Sequence, residues 1–371
     1  MGKLVLRGAL LALSLAVSMG LAVGMGSVSI PPDTIIREIS AFALGEPMDA
    51  SASMIVFDIR APRIIFAAIG GALLALTGLL MQTVSQNYLA DPYILGVSSG
   101  ASTGAVLCLV TGAAQMFAPY GVYVGAFLGA AVATVIVVRL AGSSGSPVKL
   151  VLMGMGISAL FSAFTMLAIY GAKDEAQVRS AMFWLMGSLT GIQWSMVPVG
   201  AAMLFLTMLF IWLMRHELDL ILLGRNEARH LGMPVQRVQQ MIVLISSLAV
   251  AVVVALSGII GFVGLVVPHI ARSLGDSRHA VMLWFTALVG ALVMVWADAA
   301  ARTLFRPEEL PIGILTASLG APVFMWIISR KYKDYLYDDG KESYVCHRRT
   351  GNTGPGAGAF SQRAHDCHSR A

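Results

Sequence analysis

The sequence predicts an all-α polytopic membrane protein with about ten transmembrane helices. Hydrophobic residues make up 57% of the chain and charged residues only 12%, whereas a soluble domain carries about 25% charged residues. The mean hydropathy is +0.78, and apolar runs of about 20 residues, the length that crosses a bilayer, recur along the 371 residues. The net charge of +5 fits basic loops that face anionic lipid. No aromatic and basic motif for nucleic acid appears.

The apolar runs predict the individual spans. The segment from Gly258 to Ala271, GIIGFVGLVVPHIA, is short and contains Gly and Pro, which is typical of a short or broken span whose freed backbone groups are covered by protein or water. Counting it gives ten spans and places both termini on one side, whereas a re-entrant 258–271 would give nine. The predicted spans are 4–29, 63–83, 93–111, 119–140, 149–171, 195–214, 238–257, 258–271, 281–303 and 311–329.

The first apolar run resembles a signal peptide, because basic residues precede an apolar stretch. That stretch is long enough to span a bilayer, and no compact small-residue cleavage site ends it. We therefore interpret it as a retained first helix. After Lys333 the apolar character is lost, so the chain is predicted to consist of a transmembrane domain, 1–333, and a disordered cytoplasmic tail, 334–371. The Cys and His residues of the tail match no zinc spacing.

The distribution of Lys and Arg predicts the orientation. The loops on the side of the N-terminus hold 13 basic residues up to residue 333, and the opposite loops hold 7, so the positive-inside rule places both termini in the cytoplasm of a multi-pass plasma (inner) membrane protein. The first set is Lys3, Arg7, Arg139, Lys149, Arg215, Arg225, Arg229, Arg237, Arg272, Arg278, Arg330, Lys331 and Lys333, and the second is Arg37, Arg60, Arg63, Lys173, Arg179, Arg302 and Arg306.

A short charged insert, LLGRNEARHLGMPVQR from Leu222 to Arg237, separates two long apolar runs. Asn226 is expected to cap a helix start, and Gly232 to end it, with Pro234 preventing continuation. Ala228 and Leu231 would share one face of a helix too short to be stable alone. The insert is therefore either a docking element for a partner or a solvated loop that sets topology.

The chain carries no sequence signature of an enzyme. The phosphate-binding pattern G-x-x-x-x-G-K-[ST] does not occur, and no Ser/His/Asp or Cys/His set is expected on the same side of the membrane. No cofactor or metal site is predicted in this chain. If transport uses ATP and Mg²⁺, a separate ATPase must bind them.

Five segments, taken in order, resemble the FecCD-type permease family of type II ABC importers for iron–siderophores, haem and cobalamin. The resemblance covers about residues 4–333 and rests on the segments 60–102, 183–197, 218–238, 257–279 and 297–331. It implies the type II permease fold and a homodimer of ten-helix subunits. Two ATPase subunits would bind on the cytoplasmic side and an extracytoplasmic substrate-binding protein on the other. The substrate would be a ferric siderophore, with haem, cobalamin or an oxyanion as alternatives.

The resemblance also implies roles for particular residues. In the insert, Gly224, Glu227, Ala228, Leu231 and Gly232 would contact the ATPase. Arg60, Arg63 and Arg302 would bind carboxylates of the binding protein, a role suited to a planar guanidinium, whereas interfacial snorkelling is the alternative. Asn87 and Leu89 would close the cytoplasmic gate near the 142–149 loop. The family commonly has Asn-Pro-Leu-Ala at this turn, whereas this chain has Tyr88 in place of Pro.

Two ionisable residues near the spans have structural interpretations. Asp298 and Arg302 are four residues apart and are expected to pair along a helix, and His269 is expected to pack at the inner end of the short span. Two other functions are considered. An ion-gradient-driven secondary transporter would carry polar groups at mid-membrane, which are rare here. A membrane-embedded sensor would not need both outer arginines and an inner docking helix.

Overall fold

The computed structural model describes residues 2–26, 28, 30–44, 49–113, 120–141, 147–327 and 329. This described part contains helices and no β-strand. The chain divides into two compact units, Met1–Ala321 and Pro322–Ala371, and the functional elements below all belong to the first. The predicted tail, 334–371, lies outside the described residues.

Fifteen helices are named here from the described residues, together with a π-helical segment, Met54–Arg60, and a 3₁₀ turn, Pro92–Leu95. They are α1 Gly2–Gly24, α2 Pro32–Leu44, α3 Ala50–Ser53, α4 Ala61–Ser85, α5 Val97–Thr111, α6 Gly121–Ala141, α7 Pro147–Tyr170, α8 Glu175–Leu185, α9 Val197–Leu213, α10 Arg215–Leu222, α11 Arg225–His230, α12 Val235–Ser257, α13 Val263–Leu274, α14 His279–Ala301 and α15 Ile312–Ile327.

The predicted spans are confirmed as helices. Within the described residues, six stretches are long and apolar enough to cross a bilayer: α1, the continuous stretch Ala50–Ser85, α6, α7, α12 and α14. The pair α9 and α10, bent by 64°, forms a seventh, and α5, α13 and α15 are shorter apolar helices. The fold is therefore the predicted all-α polytopic membrane fold.

Close helix contacts depend on glycine. A Cβ atom on Gly104 of α5 would lie 2.0 Å from the carbonyl oxygen of Gly125 of α6, and one on Gly129 would lie 2.1 Å from that of Gly100. Both distances are shorter than any real Cβ contact, so only glycine allows these two backbones to pack.

Helix α4 forms the centre of the bundle. All of its residues from Phe66 to Val84 except Ala68 are buried, and it contacts α9, α12, α13 and α14. Because it is hydrophobic all round, it is the expected type of helix for a protein core. It ends at Gln86, which adopts the left-handed conformation with φ of 50°.

The short span is a helix preceded by an irregular segment. Gly258 and Phe262 have φ angles of 70° and 67°, and α13 begins only at Val263. The Tyr93 hydroxyl donates to the Ile260 carbonyl at 2.8 Å and lies 3.3 Å from its backbone nitrogen. Protein groups thus satisfy the freed backbone, as membrane proteins require.

The bundle has two ends, which we name by α1. The proximal end is where α1 begins, and there Arg7 donates to the Leu274 carbonyl at 2.9 Å. The distal end is where α1 stops, and there Arg302 donates to the Met25 carbonyl at 2.7 Å. Following the helices along the chain places the turn 86–90, α10 and α11 at the proximal end, and α2, α8 and the segment 302–311 at the distal end.

Two distal helices, α2 and α8, were not predicted. The sequence carries a signal for α8: Asp174 accepts from the Gln177 backbone N–H at 2.8 Å, and the Gln177 side chain accepts from the Lys173 N–H at 3.1 Å. This arrangement resembles a capping box. Both helices lie between the apolar runs. They were not predicted because the prediction of membrane spans considers only the apolar runs.

Candidate functional site

The proximal insert follows α10 and forms α11, which is anchored to the subunit. Ala228 is fully buried against the apolar residues of α4, α10 and α12, so the prediction that Ala228 itself contacts a partner is wrong. Leu231 is 65% exposed, and Glu227 and Gly232 are also exposed. The insert therefore has an exposed apolar side chain, Leu231, next to a helix that buried packing holds in place.

The start of α11 differs from the prediction. Gly224, with φ of 117°, is the capping residue, and the helix begins at Arg225. Asn226 already lies within the first turn, so its predicted capping role is wrong. A φ of 117° is a conformation that side chains disfavour, which explains why glycine is needed one residue before Arg225. The predicted end at Gly232 is confirmed, with φ of 83° immediately after Leu231.

The proximal turn after α4 contains the predicted gate residues. The Asn87 side chain accepts from the Leu89 N–H at 2.9 Å, and the Asn87 carbonyl accepts from the Ala90 N–H at 3.1 Å. The turn thus closes through asparagine without the proline that the family commonly has. Leu89 is 45% exposed. The neighbouring loop named in the prediction lies outside the described residues from 142 to 146.

Tyr88 links this turn to α13. Its ring lies 4.5 Å from the guanidinium carbon of Arg272, a cation–π distance. Arg272 also donates to the Gln82 side-chain oxygen of α4 at 2.7 Å. The residue that departs from the family pattern is therefore part of a contact between α4, the turn and α13.

A chain of polar contacts that sequence analysis missed joins α10 to α4. Asp219 Oδ1 accepts from the backbone N–H of His279 at 2.9 Å and lies 2.6 Å from its Nδ1. On the other side of the ring, Nε2 lies 2.9 Å from the Thr83 hydroxyl. This set differs from the Ser/His/Asp and Cys/His sets considered in the sequence, because its hydroxyl belongs to a threonine. His279 and Thr83 are about 1% exposed, so no substrate reaches this hydroxyl.

The distal arginines lie inside the subunit. Arg60, Arg63 and Arg302 are 5%, 5% and 2% exposed. Arg60 donates to the Val23 carbonyl at 2.6 Å and also to the Val28 carbonyl. This burial fits neither arginines that snorkel to the membrane interface nor freely exposed docking residues.

Asp298 is the centre of this distal cluster. Arg63 Nε donates to Asp298 Oδ1 at 2.8 Å, and Arg63 Nη1 donates to Glu309 at 2.7 Å. The predicted Asp298–Arg302 pair is present, with Nε 2.9 Å from Oδ2, although its N–H is directed at the Asp298 carbonyl. The pairing of Arg63 with the same carboxylate was not predicted, because 235 residues separate the two.

A cavity of about 500 Å³ opens at the distal end, between α5, α6, α8 and the end of α12. Its lining combines the aromatic side chains of Tyr123, Phe183 and Trp184 with the guanidinium of Arg179. Mostly apolar walls with a few polar groups are typical of small-molecule sites of this size.

The described residues hold no group of three or more His, Cys, Asp or Glu side chains arranged for a metal ion. His269 lies in α13 directly after Pro268, as expected for the short span. The cysteines and histidines of the tail lie outside the described residues.

Comparison with known proteins identifies the family. The FecCD transport family matches residues 12–330. The hemin transport system permease HmuU of Yersinia pestis is 38% identical over 277 residues, covering 74% of this chain and 83% of the relative. The vitamin B12 import permease BtuC of Salmonella paratyphi A is 37% identical over 288 residues, covering 77% and 87%.

Solved structures show the same fold. A metal-chelate type ABC transporter in an inward-facing conformation has a TM-score of 0.76 and 32% identity, covering 88% of this chain and 99% of that one. PsaBC from Streptococcus pneumoniae has a TM-score of 0.50 at 16% identity, covering 78% and 94%, and is similar in fold alone. The chain therefore belongs to the FecCD transport family and is a membrane-spanning permease subunit of an ABC importer.

Proposed function

We propose that this permease moves a bulky metal chelate into the cytoplasm and that a separate ATPase drives it through the proximal insert. The observation that carries the proposal is the anchored helix α11, which is followed directly by the exposed Leu231 at the same end of the bundle as the turn with Asn87 and Leu89. The names of the relatives support the substrate class, since they transport hemin or vitamin B12. A ferric siderophore, haem and cobalamin all belong to this class.

The proximal end is assigned to the cytoplasmic side of the inner membrane. The greater number of Lys and Arg residues on the side of the N-terminus supports this orientation. It places both termini in the cytoplasm and directs Leu231 at a cytoplasmic ATPase. ATP and Mg²⁺ would be bound by that partner.

The complete importer is proposed to contain two copies of this chain, two ATPase subunits and an extracytoplasmic binding protein. The exposed face of α7 supports a second copy, because Gly156 and Ala159 are exposed on it and a Cβ on Gly156 would meet no atom within 4 Å. Small exposed residues on a membrane helix allow another helix to approach closely.

The distal arginines are given a positioning role in place of direct docking. Their guanidiniums already bind carbonyls and carboxylates of the same chain, and releasing them would leave Asp298 buried without a partner. Contact with the binding protein is better suited to the exposed Arg306 and Arg179 at the same end. The distal cavity, with its aromatic walls, supports entry of a ligand with extended apolar surface.

Purification with partners tests the ATPase assignment. The tagged chain is extracted from its native membranes in mild detergent, and an ABC-type ATPase is expected to co-purify with it. Leu231→Arg places a charge on the exposed apolar contact and should abolish this association while membrane insertion persists. Leu304→Arg, at a distal leucine that is 58% exposed, is the matched control and should retain the ATPase.

Two results would contradict the assignment. Equal recovery of the ATPase with Leu231→Arg and with the control would remove the docking role of α11. Absence of any ABC-type ATPase from the unmodified chain, under conditions that preserve a known importer complex, would direct attention to the ion-gradient-driven alternative.

A further inference from the structure

Two polar connections join α10, the helix that leads into the proximal insert, to the end of α4. The first runs from Asp219 of α10 through His279 at the start of α14 to Thr83 in the last turn of α4. The second is direct: the Gln86 side chain donates to the Ile221 carbonyl of α10 at 2.8 Å. Gln86 is the left-handed residue that begins the turn with Asn87 and Leu89. Helix α10 is thus hydrogen-bonded to the first residue of that turn.

Apolar packing also connects α10 to α4. Leu218 and Ile221 of α10 are fully buried and belong to one cluster with Leu76, Leu80 and Val84 of α4. Packing of this kind resists separation but allows sliding, because it is not directional. The hydrogen bonds are directional and set the register of α10 against α4.

The position of the Asp219 carboxylate suits a residue that transmits motion from α10 to α14 and α4. One oxygen accepts from both the backbone N–H and the ring of His279, so Asp219 fixes the first residue of α14 and the orientation of its ring. The ring in turn holds the Thr83 hydroxyl, which also lies 2.9 Å from the Leu79 carbonyl. A buried network of this type couples its members more strongly than separate pairs would.

We propose that Asp219 is a positioning residue which transmits displacement of α10, and of the ATPase-docking insert that follows it, to the cytoplasmic gate through His279 and Thr83. The proposal rests on the function proposed above. Displacement of α11 shifts α10, and the two hydrogen-bonded connections shift the end of α4 together with its turn. Loss of Asp219 would leave the ATPase bound and active, but the gate would no longer respond to nucleotide.

The test measures the gate directly in the complete complex. In a background without the native cysteines, Leu89→Cys places a thiol in the exposed turn, and a membrane-impermeant maleimide reports its accessibility in the complex reconstituted with its ATPase. Labelling rates are compared with and without ATP and vanadate. Couplings between sites are typically about 5–150-fold, so we expect a change of about fivefold or more when Asp219 is present.

Three substitutions separate transmission from folding. Asp219→Ala removes the acceptor and should reduce the nucleotide-dependent change to less than about twofold, with ATPase association retained. Asp219→Asn keeps an acceptor oxygen and should restore most of the response. Asp276→Asn is the matched control, because Asp276 lies three residues from His279 and forms an ion pair with the exposed Arg278, at 2.6 Å. The Arg278 hydrogen bond holds the pKa of Asp276 below its usual value.

Each outcome decides one of the two claims. An equal response in Asp219→Ala and in the Asp219 parent would overturn the transmission role. Should Asp219→Ala fail to assemble, the comparison moves to Thr83→Val and Gln86→Met, and a full response in both would overturn it equally. No response to nucleotide in the parent itself, although the ATPase is bound, would contradict the proposed function and not the role of Asp219 alone.

Discussion

The two ends of the bundle hold their polar residues in different ways. At the distal end, Arg63, Asp298 and Arg302 are buried and joined by ion pairs. At the proximal end, the connections run through a histidine, a threonine and an amide, and Asp219 keeps about a third of its side chain exposed, at 33%. Buried charges allow little displacement, because separating them leaves an uncompensated charge, whereas hydrogen bonds of a partly exposed carboxylate can shift and re-form with water at lower cost. We infer that the distal end is fixed and that the proximal end is built to move.

Removing the distal carboxylate should have the largest effect on stability. Asp298→Ala leaves the guanidiniums of Arg63 and Arg302 buried without their shared partner, and breaking a buried pair in this way typically costs about 3–5 kcal/mol. Thermal unfolding in detergent should show a large fall in the transition temperature.

Glu175→Ala is the control for Asp298→Ala. Glu175 forms an ion pair with Arg179 at 3.1 Å, but its side chain is 87% exposed, so its loss should not measurably change stability. Equal transition temperatures for the two variants would show that the distal charges do not hold that end together.

Removing the proximal aromatic contact should have a much smaller effect. Tyr88→Leu deletes the cation–π contact with Arg272, which at a partly exposed site is worth about 0.5–1 kcal/mol. The free energy of unfolding, measured beside that of Asp298→Ala, should fall by much less than in Asp298→Ala. Tyr170→Leu, at a tyrosine that is 90% exposed in α7, provides the baseline. A loss as large as that of Asp298→Ala would mean that the proximal end is as rigid as the distal one.

Features that depend on neighbouring residues could be predicted from the sequence. The spans follow from hydropathy over about 20 residues, and the Asp298–Arg302 pair and the end of α11 at Gly232 follow from spacings of a few residues. Such signals are local, so folding does not alter them.

Features that depend on distant residues could not be predicted. Asp219 and His279 are 60 residues apart, and Thr83 and His279 are 196 apart, so no spacing rule connects them. The burial of the distal arginines could not be predicted either. An arginine near a helix end has the same sequence pattern whether it faces lipid headgroups, a partner or Asp298. The sequence pattern places Ala228 and Leu231 on the same face of a helix. Only the packing of the folded chain determines that Ala228 is buried and Leu231 exposed.

Amide hydrogen exchange in the assembled complex tests the contrast between the two ends most directly. The permease with its ATPase is compared with and without a non-hydrolysable ATP analogue. The account predicts altered exchange in the turn 86–90 and in the insert 222–237, and unchanged exchange in the distal segment 298–309. Comparable changes at both ends, or none in the turn while the insert responds, would contradict it.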